Sequence, residues 1–117
     1  MAYLRHLVNG ATVTVYELGE TTLIGRSSEC PIKVEDPTVS SMHAKIEPTG
    51  DGWRVLDLGS TNGIFANGVR VSEVLLEPGV VLTVGTHEFE YLPKLPNDLE
   101  RTLKIKKSWI PGVYYTE

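Results

Sequence analysis

Hydrophobic and polar residues alternate with a period of two along much of the chain, the pattern of half-buried strands. AYLRHLV (2–8) and ATVTVYEL (11–18) flank Asn9-Gly10, a pair that supplies the positive φ angles of a two-residue hairpin turn. Within the second run, Val13 and Val15 alternate against Thr12, Thr14 and Tyr16. Leu18-Gly19-Glu20 marks another turn, after which TTLIG (21–25) and the very short PIKV (31–34) read as strands. MHAKIEP (42–48) alternates again, Gly50-Asp51-Gly52 turns the chain, and WRVLDL (53–58) follows. IFA (64–66) and VRV (69–71) flank Asn67-Gly68, a second hairpin signal. Glu77-Pro78-Gly79 opens VVLTV (80–84), Gly85-Thr86 turns, and HEFEYL (87–92) sets Phe89 and Tyr91 on one face. About ten short strands with a turn every few residues predict an all-β fold, an antiparallel sandwich or barrel. No helical periodicity precedes residue 93 or so.

The last stretch differs, which divides the chain into a domain over 1–92 and a C-terminal appendage over 93–117. Pro93 and Pro96 interrupt the strand pattern, and Asn97 with Glu100 has the spacing of a capping box. Leu99 and Leu103 would share one helix face, with Lys104, Lys106 and Lys107 near the C-terminal end that favours cations. Leu103 and Ile105 also alternate with Lys104 and Lys106, so the same residues fit a strand. WIPGVYY (109–115) then adds Trp109, Tyr114 and Tyr115. The appendage reads as a short helix, a docked extension or a partner-binding segment, and is a candidate route to self-association.

Composition narrows the function classes. The chain has 117 residues, 41% hydrophobic and 22% charged, which suits one soluble globular domain with a real core. A net charge of −4 argues against a nucleic-acid surface but not against a local anion site. The single cysteine, Cys30, forms no intramolecular disulfide and reads as a packed structural thiol in a reducing compartment. Arg5 and His6 interrupt the only apolar stretch near the N-terminus, and no run approaches the ~20 apolar residues of a membrane span. The expectation is a cytoplasmic protein without membrane association. His6, His43 and His87 are scattered with no metal-ligand spacing, so no metal or other cofactor is expected.

The polar loops carry the candidate chemistry. They are Gly25-Arg26-Ser27-Ser28, Val39-Ser40-Ser41-Met42-His43 and Gly59-Ser60-Thr61-Asn62-Gly63. Together they offer a guanidinium, several hydroxyls, an amide and backbone N–H groups, a donor-rich set suited to a phosphate or carboxylate. Arg26 is the natural anchor, because its planar fork matches a phosphoryl group. Asn62-Gly63 lies only five residues before the hairpin pair Asn67-Gly68, and a simple connection would not need so many small polar side chains there.

IGRSSECPIKV, DPTVSSMHAKI and LDLGSTNGIFANGVRV carry Gly-Arg, Ser-x-x-His and Asn-Gly signatures in one order. In this, residues 3 to 92 or so resemble the forkhead-associated (FHA) domain. The resemblance implies a β-sandwich of about eleven strands that binds phosphothreonine peptides through loops at one end. It implies that Arg26 and Ser40 contact the phosphate, that Thr61 touches the phosphorylated residue, and that Asn62 holds the peptide backbone. Gly25, His43, Gly63 and Asn67 match positions that shape or support the site. Thr38, in the loop after Asp36-Pro37, becomes a candidate for choosing the residue after the phosphothreonine. The partners implied are phosphothreonine-containing proteins, Ser/Thr kinases or their substrates.

Two departures stand out. After the signature Ser40 the family often has Arg, Lys or Asn, whereas Ser41 offers only a hydroxyl, so the expectation is either modest affinity or compensation by another cation such as Lys33 or Lys45. Ile64 stands where Thr is common after Asn-Gly, which should affect packing more than recognition. Two rival readings are a phosphate-independent scaffold on the same frame and a Ser/His hydrolase using Ser40 or Ser41 with His43, oriented by Asp36 or Asp57. The hydrolase lacks a G-x-S-x-G elbow. If the strands simply alternated up and down, the loops before and after PIKV would fall at opposite ends. Convergence of the three loops is thus implied by the resemblance alone.

Overall fold

The computed structural model describes residues 2–95 and 105–108. In chain order the strands are β1 (Ala2–Val8), β2 (Ala11–Leu18), β3 (Thr22–Gly25), β4 (Ile32–Lys33), β5 (Ala44–Pro48) and β6 (Trp53–Asp57). They continue as β7 (Ile64–Ala66), β8 (Val69–Val71), β9 (Glu73–Leu76), β10 (Val81–Val84), β11 (His87–Leu92) and β12 (Ile105–Lys107). Among the described residues there is no helix, and so none that could cross a membrane. Two sheets form the sandwich. One has the order β12-β2-β1-β11-β10-β7-β8, the other β4-β3-β5-β6-β9.

The core is the meeting of the two inner faces. Leu4, Leu18, Leu82 and Phe89 from the first sheet meet Ile24, Ile46 and Val55 from the second, all fully buried. Asn9 and Gly10 both have positive φ, as do Asn67 and Gly68, so both two-residue hairpins form where the turn chemistry required them.

The alternation expected in β2 needs a correction. A bulge opposite His6 and Leu7 pairs them with Thr14 and Thr12, leaving Val13 extra and exposed. Tyr16, placed by alternation on the polar face, pairs with Leu4 and joins the core. The sequence pattern also passed over β9, EVLL, which has no clean alternation and whose burial is nearly one-sided at Leu76.

Beyond residue 92, Ile105–Lys107 is a strand parallel to β2, and the Ser108 N–H donates to the Glu17 carbonyl at 3.1 Å. The strand alternative therefore holds there, while the capping residues Asn97 and Glu100 lie outside the described residues. One pairing decides the geometry of the loops. β4 runs parallel to β3, with Ile24 opposite Ile32 and Gly25 opposite Lys33. Simple up-and-down alternation fails at this point. The segment after β4 therefore leaves from the same end of the sandwich as the segment after β3.

Candidate functional site

The loops after β3, after β4 and between β6 and β7 are stitched together at that end. The Arg26 and Ser27 N–H groups donate to the Ser40 and Ser41 carbonyls at 3.0 and 3.1 Å. Gly25 allows this close approach, since a Cβ there would run into the Ser41 carbonyl and lie 2.8 Å from the Cys30 sulfur. Cys30 is buried, its Sγ donates to the Ser41 carbonyl at 3.3 Å, and burial raises its pKa. It is a packing thiol, not a thiolate.

His43 locks the second loop to the third. It is fully buried, its Nδ1 accepts from the Ser40 N–H at 3.0 Å, and its Nε2 donates to the Gly63 carbonyl at 2.7 Å. One nitrogen accepts from a backbone donor, which fixes the proton on the other. Both nitrogens are thereby occupied by main chain, so neither is free to take a proton from a serine hydroxyl. The Ser/His hydrolase reading fails on this geometry.

The third loop is braced from beneath. The Ser60 hydroxyl and N–H donate to Asp57 Oδ1, and the Gly63 N–H donates to Ser60 Oγ at 2.9 Å. Asp57, at a strand end, thus holds one loop N–H and one hydroxyl, both of Ser60. Asn62 has no positive φ, whereas Gly63 does (77°), so Asn62-Gly63 is not a hairpin turn like the pair after it. The Asn62 Nδ2 donates to the Thr38 carbonyl at 2.8 Å, which orients the amide and leaves Oδ1 as the spare acceptor. The Thr61 N–H donates to Ser40 Oγ at 3.2 Å, leaving the serine's own proton free to donate elsewhere.

Arg26 is exposed, and its Nε donates to the Val39 carbonyl at 2.9 Å. That single bond aims the side chain while leaving both terminal nitrogens available. Among the described residues no carboxylate forms an ion pair with it. The nearby acid, Asp36, is already saturated. It accepts from Thr86 Oγ1, from the Thr38 N–H at 2.8 Å and from Thr38 Oγ1 at 2.7 Å, with His87 Nε2 at 3.3 Å. These donors, Thr86 first, hold its carboxyl down to about 2.

The structure brings Gly25, Arg26, Ser40, Ser41, His43, Thr61, Asn62 and Gly63 to one end. Asn67 is elsewhere, at the far end of β7. Its N–H donates to the Val81 carbonyl and its Oδ1 accepts the Val81 N–H, which ties the hairpin to β10. The compensating cations expected from sequence are both committed. Lys33 pairs with Glu35 at 2.8 Å, and buried Lys45 lies 3.7 Å from Glu47. His6 and His87, distant in sequence, meet at 2.7 Å between β1 and β11. Among the described residues no three side chains form a metal-binding group. Sequence reasoning also missed Thr86, His87 and Arg70 beside the loops, because single residues after a turn or on a three-residue strand carry no local signal. A groove of about 310 Å³ lies at the opposite end, lined by Trp53, Leu75, Tyr91 and Pro93 among others.

A family model described as the FHA domain matches residues 22–85, more than half of the chain. The chain belongs to the FHA family. Residues 22–85 take in β3 through β10 and all three loops of the site. The FHA domain-containing protein FhaB of Mycolicibacterium smegmatis is 32% identical over 98 residues, covering 76% of this chain and 63% of the relative. The glycogen accumulation regulator GarA of the same species is 33% identical over 72 residues, covering 62% of this chain and 46% of the relative. The chain thus spans between about half and two thirds of the length of these curated relatives. Among solved structures, the FhaA FHA domain complexed with an intracellular domain of a second protein superposes with a TM-score of 0.70. It is 30% identical, over 79% of this chain and 100% of that one. A structure from a study of phosphothreonine-dependent FHA domain interactions superposes at 0.69 with 28% identity, over 80% of this chain and 98% of that one. This FHA domain keeps the sandwich of eleven strands through Leu92 and adds β12 on the edge of β2.

Proposed function

We propose that this FHA domain is a non-catalytic module that binds phosphothreonine in partner proteins, with Arg26 as the charged anchor. The observation that carries the reading is the state of Arg26. It is oriented by the Val39 carbonyl, free of any carboxylate partner among the described residues, and tied through its own backbone N–H to the Ser40 carbonyl. A guanidinium held in place with its terminal nitrogens unspent is prepared for a tetrahedral oxyanion. Arg26 and the Ser40 and Ser41 hydroxyls would take phosphate oxygens. Thr61 would touch the phosphorylated residue, and the spare Asn62 Oδ1 would accept a peptide N–H. Gly25, His43 and Gly63 hold the three loops in register. The γ-methyl of threonine would fit an apolar niche beside these donors, which disfavours phosphoserine.

Similar structures support the reading: one comes from work on phosphothreonine-dependent FHA domain interactions, and another, a longer protein of which this chain covers 25%, is in complex with a low-affinity phosphopeptide. The partners implied are Ser/Thr kinases or their substrates. With Ser41 in place of a second cation, affinity should be modest. Charge-assisted bonds contribute about 1.5–3 kcal/mol each against about 1 for neutral ones, and micromolar binding needs about 8 kcal/mol. Titration with matched phosphothreonine, phosphoserine and unphosphorylated peptides tests this. Binding of the first alone is expected. Equal binding of all three would instead favour a phosphate-independent scaffold.

A further inference from the structure

Four arginines lie among the described residues, and they fall into two pairs. Arg5 is bound to Glu90, and Arg54 to Glu47 and Glu73. Arg26 and Arg70 have no ion pair among the described residues. The chain has 15 acidic residues and a net charge of −4, so carboxylates were not scarce for Arg26 and Arg70. Yet both stand against the recognition loops. Arg26 follows β3 in one sheet. Arg70 lies on β8, the edge of the other sheet, opposite Phe65.

Arg70 is exposed, but its head group is not adrift. The guanidinium lies flat against Gly63, so that a Cβ on Gly63 would come within 2.5 Å of Nε and 2.9 Å of Nη2. Gly63 is itself immobilised, its carbonyl by His43 and its N–H by Ser60. Gly63, whose positive φ of 77° disfavours a side chain, thus makes the seat for a cation next to Asn62. Ion pairing elsewhere in the molecule shows that acids were available to neutralise surface arginines, and here none does so.

We propose that Arg70 is a specificity-determining residue that reads an acidic side chain, Asp or Glu, flanking the phosphothreonine. This rests on the phosphothreonine reading above, because it takes Asn62 as the grip on the peptide main chain. A peptide gripped at Asn62 passes the adjoining Gly63 in extended form, where its next side chains fall within reach of the Arg70 fork. Arg26 and Arg70 come from opposite sheets, so the phosphate and the acid are read on different sides of the loop that holds Thr61 and Asn62. Neither Lys33 nor Lys45 is available for the same task, since each already faces a glutamate.

The test is a set of phosphothreonine peptides in which Asp, Gln or Lys replaces each flanking position in turn. Affinities are measured for wild type, Arg70→Gln, Arg70→Glu and Arg26→Ala, with thermal melts to establish that each variant folds. At one position wild type should favour Asp over Lys by roughly fivefold, the ratio an exposed ion pair carries. Arg70→Gln should level that preference while still requiring the phosphate, and Arg70→Glu should reverse it in favour of Lys. A purely structural Arg70 would not reverse a preference. The assignment is overturned if wild type shows no acidic preference, or if Arg70→Gln keeps it. Should wild type bind no phosphothreonine peptide at all, the phosphothreonine reading itself falls and takes the Arg70 assignment with it.

Discussion

Two residues of the site show how much depends on a single side chain. His43 satisfies a half-buried N–H and a buried carbonyl from two different loops. Replacing it by Ala leaves both without partners, at about 1–3 kcal/mol each. His43→Ala should therefore lower the urea unfolding free energy by about 2–6 kcal/mol and weaken phosphopeptide binding with it. Gly25 tolerates no Cβ, because the Ser41 carbonyl and the Cys30 sulfur fill that space. Gly25→Ala should cost about 1–3 kcal/mol, as overpacking typically does, and should push the Ser40-Ser41 loop away from Arg26. Unchanged melting and unchanged binding in Gly25→Ala would remove the close approach from the account. The chemistry of these residues was legible in the sequence through Gly-Arg and Ser-x-x-His. Their partners were not, since Gly63 lies 20 residues from His43 and nothing local encodes that contact.

At the scale of elements, the two Asn-Gly pairs look alike in sequence and act differently. Asn67 occupies a positive φ of 48° in a hairpin turn, whereas Asn62 does not have a positive φ and holds the Thr38 carbonyl. Asn67→Ala should destabilise by about 1–2 kcal/mol, the cost of that conformation for a residue with an ordinary Cβ. Asn62→Ala, an exposed position, should shift stability by no more than about 0.5 kcal/mol yet weaken peptide binding. Thermal melts and titrations of the two variants should show opposite patterns, and a shared pattern would refute the distinction. Strand periodicity revealed most elements because each sheet buries one face. It failed where that premise failed, at the bulged Val13 and at β9. The parallel pairing of β3 with β4 was the element-level fact that periodicity could not supply. It depends on where the chain returns, and it alone brings the second loop to the end where Arg26 stands.

For the whole molecule, acid should be the weak condition, in two stages. Burial, with the charge of His87, lowers His6 from 6.5 to about 4. Above pH 6.5 the ring is neutral folded or unfolded. Between 6.5 and about 4 only the unfolded chain takes up the proton, so stability falls across that window and levels off below it. Asp36, held down to about 2, adds stability that is present above its ordinary 3.8 and is lost as the pH falls to about 2. Because Asp36 anchors Thr38, whose carbonyl orients Asn62, the second stage should loosen the recognition end as well as the fold. Denaturant unfolding from pH 8 to 2, with NMR titration of the His6 ring, checks both windows. A His6 midpoint near 6.5 would contradict the first.

The central claim is that one oriented arginine, unpaired among the described residues, makes this end of the sandwich a phosphothreonine site. Its most direct test is calorimetric titration of wild type and Arg26→Ala with one phosphothreonine peptide, its phosphoserine counterpart and its unphosphorylated form. The account predicts selective binding of the phosphothreonine form by wild type, weakened about 10- to 100-fold in Arg26→Ala by loss of a charge-assisted contact. Wild-type binding that ignores the phosphate, or that survives intact in Arg26→Ala, would show that the loops serve some other ligand.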